Sequence, residues 1–589
     1  MSTSELFGSW QDNSAAATGR PALMGTRHMV SAGHYLAAHA AFRVLEAGGN
    51  AIDAGCAAGL ALGVLQPNIV QVSGVAPIMI YRAAQKEVTT ISGLGPWPKA
   101  ASCEFFRSRH GGVIPKGLLR SIVPGAPAAW ILALQRFGTM GFGDIAADAI
   151  RFAGEGFATD RFLAGQLAEH APTYAQSPAS AAVYLPKGRT PAPGDVFVQA
   201  DLARMLGYMV AEERKAAAQG GREAGLGAAH DAFYKRDIAA TIARFYQDNG
   251  GLLTQADLAE FMPAIEAPVM TRLGDVEVYV CGPWCQGPAL AQAVSLLEPR
   301  KLAALGHNSA DYVHVLTEAI KLAFADRERH YGDPRFVDVP IDALLSAEYV
   351  AKRRALIRMD RAWPELPPAG DPRRGLAETP WTSLPPGSNT PSPSPRDTSY
   401  VCVVDRWGNV FSATPSDSSS DGVVVPGTGM VISTRGSQSW TEADHPSSVA
   451  GGKRPRLTPN PALAIRPGHF TMPFGTPGGD VQIQAMLQVL LNITLFGMDP
   501  QAAVEAPRFG TASFPDSFAP HPYDPGRLNI EQRLLAKIGD PLAARGHRLQ
   551  PWPDNTWKAG AVCTIVADHR RGVLAGGADP RRPTYALGW

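Results

Sequence analysis

Apolar residues near the beginning of the chain recur with the spacing of a helix. Over residues 30–66 the pattern predicts one helix, a break in the Gly-Gly-Asn stretch at 48–50, and a second, alanine-rich helix. The second segment is apolar on nearly every face, and a helix of that kind lies inside a core. We therefore expect the segment that follows the break to be buried all round.

Two later segments add strand and helix patterns. Residues 278–298 combine a short β-rich run, a turn with Gly and Pro, and an apolar helical stretch. A further helix is predicted to begin at Asn308, because Asn is a preferred N-cap residue. Its apolar face comprises Val313, Leu316, Ile320 and Phe324.

The pattern changes abruptly between residues 363 and 397. This stretch is rich in Pro, Gly and Ser with few apolar residues, which predicts a mobile surface tether; an interdomain linker is the simpler interpretation. The next residues, 399–414, alternate apolar and polar positions around a Trp-Gly-Asn turn, which predicts two strands joined in a hairpin. A tether thus ends at Thr398, at the head of a predicted core strand.

Composition excludes several classes of protein. With 589 residues, 45% hydrophobic and 18% charged, the chain can bury a large core. Lys and Arg number 54 against 53 Asp and Glu, so the basic excess typical of nucleic-acid binders is missing. No apolar run approaches the roughly 18 residues that span a bilayer, and the first residues lack a signal-peptide pattern. We expect a cytoplasmic protein without membrane or nucleic-acid partners, and homo-oligomer formation stays open.

Six cysteines are scattered along the chain, which is not the dense pattern of a disulfide-stapled domain. Cys281 and Cys285 are the close pair, and their spacing is compatible with a metal or redox site. No second Cys/His cluster accompanies them, so buried thiols are the favoured interpretation. We expect neither a metal nor an organic cofactor.

Thr398 is the first candidate for chemistry. A threonine hydroxyl is a poor nucleophile at neutral pH, but a threonine at a chain N-terminus can use its own α-amine as the base. A cleavable tether before Thr398 and a strand after it provide the context for such a nucleophile. On these grounds alone, a Thr-Ser pair that simply favours β-structure is the commoner explanation.

The surrounding sequence resembles a known family. The segment DTSYVCVVDRWGNVFSAT is similar to the processing site of the gamma-glutamyltranspeptidase family, whose members cut the bond before a threonine. Other segments match in the family's order, at 29–67, 123–140, 282–298, 453–465, 474–509 and 572–583. The resemblance implies an α+β fold, the four-layer αββα sandwich of N-terminal-nucleophile hydrolases. It also implies cleavage between Asp397 and Thr398.

Cleavage there implies two subunits from one precursor. The large subunit is residues 1–397, with the tether at its end, and the small subunit is residues 398–589. By the same resemblance the two are intertwined as one structural domain.

The resemblance also assigns catalytic roles. Thr398 falls on the family's nucleophile, and Gly478 and Gly479 fall on the paired glycines whose N–H groups form the oxyanion hole. Glycines at a turn into a helix allow two N–H donors to approach a developing oxyanion closely. Ser416 occupies the position of a second hydroxyl that hydrogen-bonds the nucleophile, with serine in place of threonine. Either hydroxyl can donate or accept, so the role is kept.

Departures from the family pattern concern the substrate. Leu94 aligns with the arginine that holds the α-carboxylate of a γ-glutamyl group, and Arg435, Ser437 and Gln438 stand where amide and acidic residues are expected. Charge-assisted hydrogen bonds are the strong ones, so losing these partners costs several kcal/mol of binding for a glutamyl group. Glutathione is therefore a doubtful substrate.

A different anion suits the altered residues better. Thr458, with Leu457, occupies a paired-serine position of the glutamate enzymes, and ISTRGSQSW with LTPNPAL looks like the oxamate amidohydrolase branch. Arg435, Gln438 and Thr458 are therefore the candidate substrate-binding residues. A solvated or structural Arg435 is an equally good interpretation.

The resulting prediction is a self-processing amidohydrolase whose substrate is a small-molecule amide, an oxamate-like carboxylate. One alternative is a γ-glutamyl hydrolase or transferase acting on glutathione or other γ-glutamyl amides. A second is an unprocessed, non-catalytic relative that binds a ligand. Four aromatic residues can line a pocket for a bulkier acyl group, as in cephalosporin-acylase-like members, although aromatics are more often core. They are Trp97, Trp284, Trp440 and Phe474.

Overall fold

The computed structural model describes residues 18–379 and 398–589. Asp397 and the part of the predicted tether at 380–396 lie outside the described residues.

The elements are numbered in chain order. The strands are β1 Leu23–Gly25, β2 Met29–Ala32, β3 Ile78–Arg82, β4 Glu87–Ile91, β5 Phe157–Ala158, β6 Val196–Phe197, β7 Ile265–Glu266, β8 Val269–Leu273, β9 Val276–Val280, β10 Ala369–Asp371, β11 Leu376–Thr379, β12 Val401–Val404, β13 Val410–Ala413, β14 Val424–Val425, β15 Met430–Val431, β16 Ala462–Arg466, β17 Phe470–Gly475, β18 Phe509–Thr511, β19 Arg527–Glu531, β20 Arg548–Trp552, β21 Cys563–Asp568, β22 Val573–Ala578 and β23 Tyr585–Gly588.

The helices are α1 Tyr35–Glu46, α2 Ala51–Leu65, α3 Cys103–His110, α4 Ala126–Phe137, α5 Phe142–Glu155, α6 Arg161–Tyr174, α7 Pro178–Tyr184, α8 Ala200–Tyr234, α9 Asp237–Asp248, α10 Gln255–Ala259, α11 Gly287–Leu296, α12 Pro299–Ala304, α13 Ala310–His330, α14 Ile341–Leu344, α15 Ala347–Arg354, α16 Gln482–Thr494, α17 Pro500–Glu505 and α18 Gln532–Ala544. None of these helices is long and apolar enough to cross a membrane.

Two seven-stranded sheets form the centre of the molecule. Their strand orders are β1-β22-β21-β17-β16-β9-β8 and β23-β2-β12-β13-β3-β4-β7, and neighbouring strands are antiparallel in both. Each sheet takes strands from both sides of Thr398. Neither predicted subunit therefore builds either of these two sheets alone.

Strand β12 shows how the layers are stacked. Successive side chains of a strand point to opposite faces. Val401 and Val403 join the apolar cluster that contains α1, α2 and α4, whereas Cys402 and Val404 join the cluster between the two sheets. A third cluster packs α11, α13 and α16 against the outer face of the other sheet. The order is helix, sheet, sheet, helix, which confirms the predicted αββα architecture.

The first predicted helical region is confirmed with one correction. Helices α1 and α2 flank the expected break, and every residue of α2 is buried. Asn50 caps α2 through a capping box with Asp53. Residues 30–32, however, belong to β2 and not to a helix, because β12 and β23 pair with them on either side. Pairing with distant strands overrides the local pattern.

The later predictions were also largely right. Strand β9 and helix α11 lie where residues 278–298 predicted them, and β12 and β13 form the expected hairpin with Gly408 at φ +81°. The N-cap of α13 is Ser309 and not Asn308; the Ser309 hydroxyl accepts a hydrogen bond from the N–H of Tyr312. Asn308 instead has a left-handed φ of +53°. The predicted apolar face of α13 is buried.

The beginning of the predicted tether has regular structure. Strands β10 and β11 pair as an antiparallel hairpin, and Ala369 is fully buried in the apolar cluster around α13. The Arg353 guanidinium donates hydrogen bonds to the carbonyl oxygens of Pro368 and Ala377, at 2.8 and 2.6 Å. Residues 369–379 of the predicted tether therefore form a packed hairpin, where long-range contacts outweigh the Pro/Gly-rich composition.

Close packing between α2 and the sheet leads to a first prediction. A Cβ on Gly55 would lie 2.0 Å from Cδ1 of Phe411, so Gly55→Ala is expected to destabilise the fold by about 1–3 kcal/mol through overpacking. Gly165 in α6 has no heavy atom within 4 Å of its Cβ position. Gly165→Ala should stabilise by up to ~1 kcal/mol, since alanine favours helix. Thermal unfolding of both variants measures the difference, and equal Tm values would contradict the packing argument.

Candidate active site

Thr398 and Ser416 meet just beyond the ends of the β12–β13 hairpin. The two residues form an antiparallel bridge, and the N–H of Ser399 donates to the carbonyl of Pro415 at 3.0 Å. This extension of the ladder places Oγ1 of Thr398 2.8 Å from Oγ of Ser416. Both side chains are buried. The structure thus brings together the two hydroxyls that the sequence comparison paired.

The loop before β3 holds Ser416 from the other side. Val75 and Ser416 exchange backbone hydrogen bonds of 3.1 and 2.9 Å. The neighbouring Gly74 leaves no room for a side chain, because a Cβ there would lie 2.2 Å from the carbonyl oxygen of Ser416. The backbone at Ser416 is therefore fixed between the hairpin and this loop.

The paired glycines lead directly into helix α16. Gly478 and Gly479 follow β17 and have φ values of +123° and +57°, which glycine adopts readily. Gln482 is the first residue of α16, and its Nε2 lies 3.4 Å from Oγ1 of Thr398. The helix start that carries the glycine pair therefore lies beside the hydroxyl of Thr398.

Arg435, Gln438 and Thr458 form a chain that begins at Ser416. The Arg435 guanidinium donates to Oγ of Ser416 and lies 3.5 Å from Oε1 of Gln438. Nε2 of Gln438 in turn donates to Oγ1 of Thr458 at 3.0 Å. All three side chains are buried. Their predicted contact with substrate stays a prediction.

A buried carboxylate accompanies Arg435. Oδ2 of Asp417 lies 3.9 Å from Nε of Arg435, and Asp417 also accepts hydrogen bonds from the hydroxyls of Ser433 and Thr434. Burial raises the pKa of Asp417, while Arg435 and these hydrogen bonds oppose the rise. The ring of Phe518 lies 5.3 Å from the guanidinium carbon. The guanidinium is thus held by charge, hydrogen bonds and an aromatic face.

Sequence and fold are similar to those of known proteins. The family model described as gamma-glutamyltranspeptidase matches residues 37–589. The chain belongs to the gamma-glutamyltranspeptidase family. Acylase ACY 1 proenzyme of Pseudomonas sp. (strain SE83) is 31% identical over 573 residues, which cover 94% of this chain and 92% of that protein.

Two further proteins that are similar to this chain have names that give different activities. Glutathione hydrolase proenzyme of Bacillus subtilis (strain 168) is 30% identical over 583 residues, covering 96% of this chain and 92% of that protein. The crystal structure of cephalosporin acylase from Bacillus halodurans superposes with a TM-score of 0.81 at 27% identity, over 97% of each chain. The predicted class, an N-terminal-nucleophile enzyme acting on amide C–N bonds, is confirmed.

The sequence comparison aligns Leu94 with an arginine of the glutamate-using members of the transpeptidase family. The chain therefore has no positive charge at this position. The Leu94 side chain is buried in the apolar core between the two sheets. An apolar group in that core cannot hold a carboxylate.

The structure favours the core interpretation of the four aromatic residues that were considered as a pocket lining. Trp97, Trp284 and Phe474 are buried in the apolar clusters, and Trp440 is stacked between His445 and His521 with centroid distances of 4.0 and 3.7 Å. A different cavity, of about 630 Å³, opens beside the paired glycines. Its aromatic lining residues are Phe514, Phe518, Tyr523, Trp552 and Trp557. The sequence signal that could have pointed to them is two short stretches rich in aromatic residues and proline, at 514–525 and 551–557.

All six cysteines lie within the described ranges and are free. Cys281 and Cys285 are buried in the core between the sheets, and burial raises the pKa of the Cys281 thiol. The predicted interpretation as buried thiols is confirmed for this pair.

In the described part of the chain, one group of side chains has metal-ligand spacing: His314, Glu318 and His547. Nδ1 of His314 lies 2.9 Å from Nε2 of His547. The buried ammonium of Lys321, however, lies 2.8 Å from Oε1 of Glu318. Since Lys321 already neutralises this carboxylate, a divalent cation would add uncompensated buried charge. We assign the group as a hydrogen-bonded polar cluster.

Proposed function

We propose that this protein is a self-processing amidohydrolase in which the hydroxyl of Thr398 is the nucleophile in both maturation and turnover. The contact between Thr398 Oγ1 and Ser416 Oγ at 2.8 Å, beside the start of α16, carries the proposal. Ser416 can donate to the threonine oxygen as charge develops on it. Gly478 and Gly479 supply the backbone N–H donors for the oxyanion, which is the type of stabilisation with the largest effect on acyl transfer.

Maturation in this proposal is an N-to-O acyl shift followed by hydrolysis. Oγ1 of Thr398 attacks the carbonyl carbon of Asp397, the bond from that carbon to the Thr398 nitrogen breaks, and the hydroxyl proton passes to the nitrogen. Water then adds to the resulting ester. The carbon–oxygen bond to Thr398 breaks, Asp397 leaves as a carboxylate terminus, and Thr398 regains its hydroxyl beside a free α-amine.

Turnover repeats the same chemistry on a substrate. The α-amine of Thr398 accepts the hydroxyl proton as Oγ1 attacks the substrate amide carbon, and the proton is passed to the leaving nitrogen, which departs as ammonia or an amine. Water hydrolyses the acyl-enzyme ester and restores Thr398. The chain supplies the nucleophile, the base and the hydrogen-bond donors for these steps, and water is the co-substrate.

An oxamate-like carboxylate amide is the proposed substrate. In oxamate the carboxylate is bonded directly to the amide carbonyl carbon, so its negative charge lies close to the attacking oxygen. Arg435 provides a positive charge one hydroxyl away from Thr398. The apolar Leu94 argues against a γ-glutamyl substrate, whose distant α-carboxylate loses its clamp.

A bulkier acyl group is the second candidate, supported by the cavity beside Gly478 and Gly479. Oxamate occupies only a small part of a volume of about 630 Å³, whereas the aromatic walls suit a large apolar acyl group. The relatives named acylases are consistent with this candidate.

A panel of three amides separates these possibilities. We expect ammonia release from oxamate to exceed aniline release from a γ-glutamyl anilide by at least about tenfold in kcat/KM, because the charge-assisted clamp for glutamate is missing. Phenylacetamide tests the bulky acyl class by the same ammonia assay. The enzyme must first be shown to be processed, and Thr398→Ala serves as the inactive control.

Each outcome of the panel decides between the candidates. Faster turnover of phenylacetamide would favour the acylase candidate, and faster turnover of the anilide would favour the γ-glutamyl alternative. A processed enzyme inactive on all three amides would contradict the proposed substrate class. The ligand-binding alternative would be supported by a wild type that stays uncut.

A further inference from the structure

We propose that Arg435 is a positioning residue that acts on Thr398 through Ser416, in self-cleavage as well as in turnover. This inference rests on the proposed function, in which Thr398 is the nucleophile. It assigns Arg435 a role that requires no substrate contact. The geometry that supports it is a relay of three side chains: the guanidinium donates to Oγ of Ser416, and that oxygen lies 2.8 Å from Oγ1 of Thr398.

The direction of hydrogen bonding follows from the chemistry of the donor. A guanidinium is permanently charged and only donates, so the Ser416 oxygen accepts from Arg435. The Ser416 proton is then available to Thr398 Oγ1, which the amide of Gln482 also approaches to 3.4 Å. Acceptance from a cation strengthens a hydroxyl as a donor, because hydrogen bonds in a chain polarise one another. The relay therefore favours negative charge on the threonine oxygen.

Arg435 is a buried charged residue whose position is stabilised by neighbouring groups. The residue is 2% exposed, and a charge in such a position needs compensation. Asp417 lies on the next position after Ser416 and supplies the opposite charge at 3.9 Å from the guanidinium. Ser433 and Thr434 hold Asp417 in turn. A dedicated set of buried groups thus orients the guanidinium toward the hydroxyl of Ser416.

Self-cleavage distinguishes this role from substrate binding. An arginine that only binds substrate leaves maturation unaffected, since no substrate takes part in it. A positioning arginine slows both reactions. We expect Arg435→Met to slow self-cleavage by about 10- to 100-fold, the usual consequence of losing a hydrogen bond to a charged group. Arg435→Lys keeps the positive charge but not the planar guanidinium with its several N–H donors, and should recover part of the rate.

The measurement is the appearance of the fragment that begins Thr-Ser-Tyr, followed by mass spectrometry after synthesis of each variant. Processed Arg435→Met should show a fall in kcat, because the lost interaction with Thr398 develops in the transition state; a role confined to binding the substrate carboxylate would raise KM and leave kcat unchanged. Ser416→Ala removes the hydroxyl that links Arg435 to Thr398. In that background Arg435→Met should cause no further slowing if the arginine acts through Ser416.

Arg508→Met is the matched control for lost stability. Arg508 is a buried arginine paired with the buried carboxylate of Asp579, and its replacement is expected to lower Tm without slowing self-cleavage. Rates are compared well below each Tm. Wild-type self-cleavage in Arg435→Met, or equal slowing in Arg508→Met, overturns the positioning role alone. An uncut wild type overturns the proposed function as well, so the two failures are distinguishable.

Discussion

Thr398→Ala is expected to remain a single full-length chain, whereas the wild type yields a fragment that begins Thr-Ser-Tyr. The substitution removes Oγ1, the atom that is proposed to attack the preceding carbonyl. Loss of processing should be complete within the detection limit. Intact mass and N-terminal sequencing after incubation at neutral pH give the result.

Two variants control for the removal of a buried threonine. Thr398→Ser keeps a hydroxyl at the same position and should still be cut. Thr414 is a buried threonine of the same region whose hydroxyl oxygen has no hydrogen-bond partner among the described residues, so Thr414→Ala should be processed like wild type. A Thr398→Ala protein that is cut at the same bond would show that another group performs the attack.

Gly478→Ala is expected to lower kcat of the processed enzyme by roughly 10²–10³-fold, the range seen when one oxyanion donor is lost. The added methyl group causes no steric clash, because the nearest heavy atom to a Cβ on Gly478 lies at 3.6 Å. The substitution instead strains the backbone, since the φ of +123° at this position is unfavourable for alanine. Relaxation toward negative φ would turn the N–H groups of the glycine pair away from the substrate.

Gly468→Ala is the control for backbone strain. Gly468 lies in the turn between β16 and β17 with φ +72°, and no heavy atom lies within 4 Å of the position that a Cβ would take there. Its replacement introduces a comparable strain without changing the glycine pair at α16. Steady-state kinetics and Tm should be measured for both variants. An equal loss of kcat in both, or full activity of Gly478→Ala, would contradict the oxyanion role.

Some of the residue roles tested by these experiments follow from the sequence alone, and others follow only from the structure. Resemblance to the family assigns Thr398, Ser416, Gly478 and Gly479 from the sequence alone, and the structure brings Ser416 and the start of α16 to Thr398. The function of Arg435 is not decided in this way. Its predicted partner is a substrate anion, but its guanidinium donates to Ser416, a contact that depends on how two loops fold together.

The amino-acid sequence by itself determined the elements whose pattern is local. The buried helix α2, the break before it and the β12–β13 hairpin each depend on residues close together in the chain. Tertiary structure decided the rest: β2 is a strand because β12 and β23 pair with it, and β10–β11 is ordered by contacts with α13 and Arg353. The aromatic cavity likewise assembles around the glycine pair from distant loops. Local sequence cannot specify such features, because their stabilising partners are supplied by distant parts of the chain.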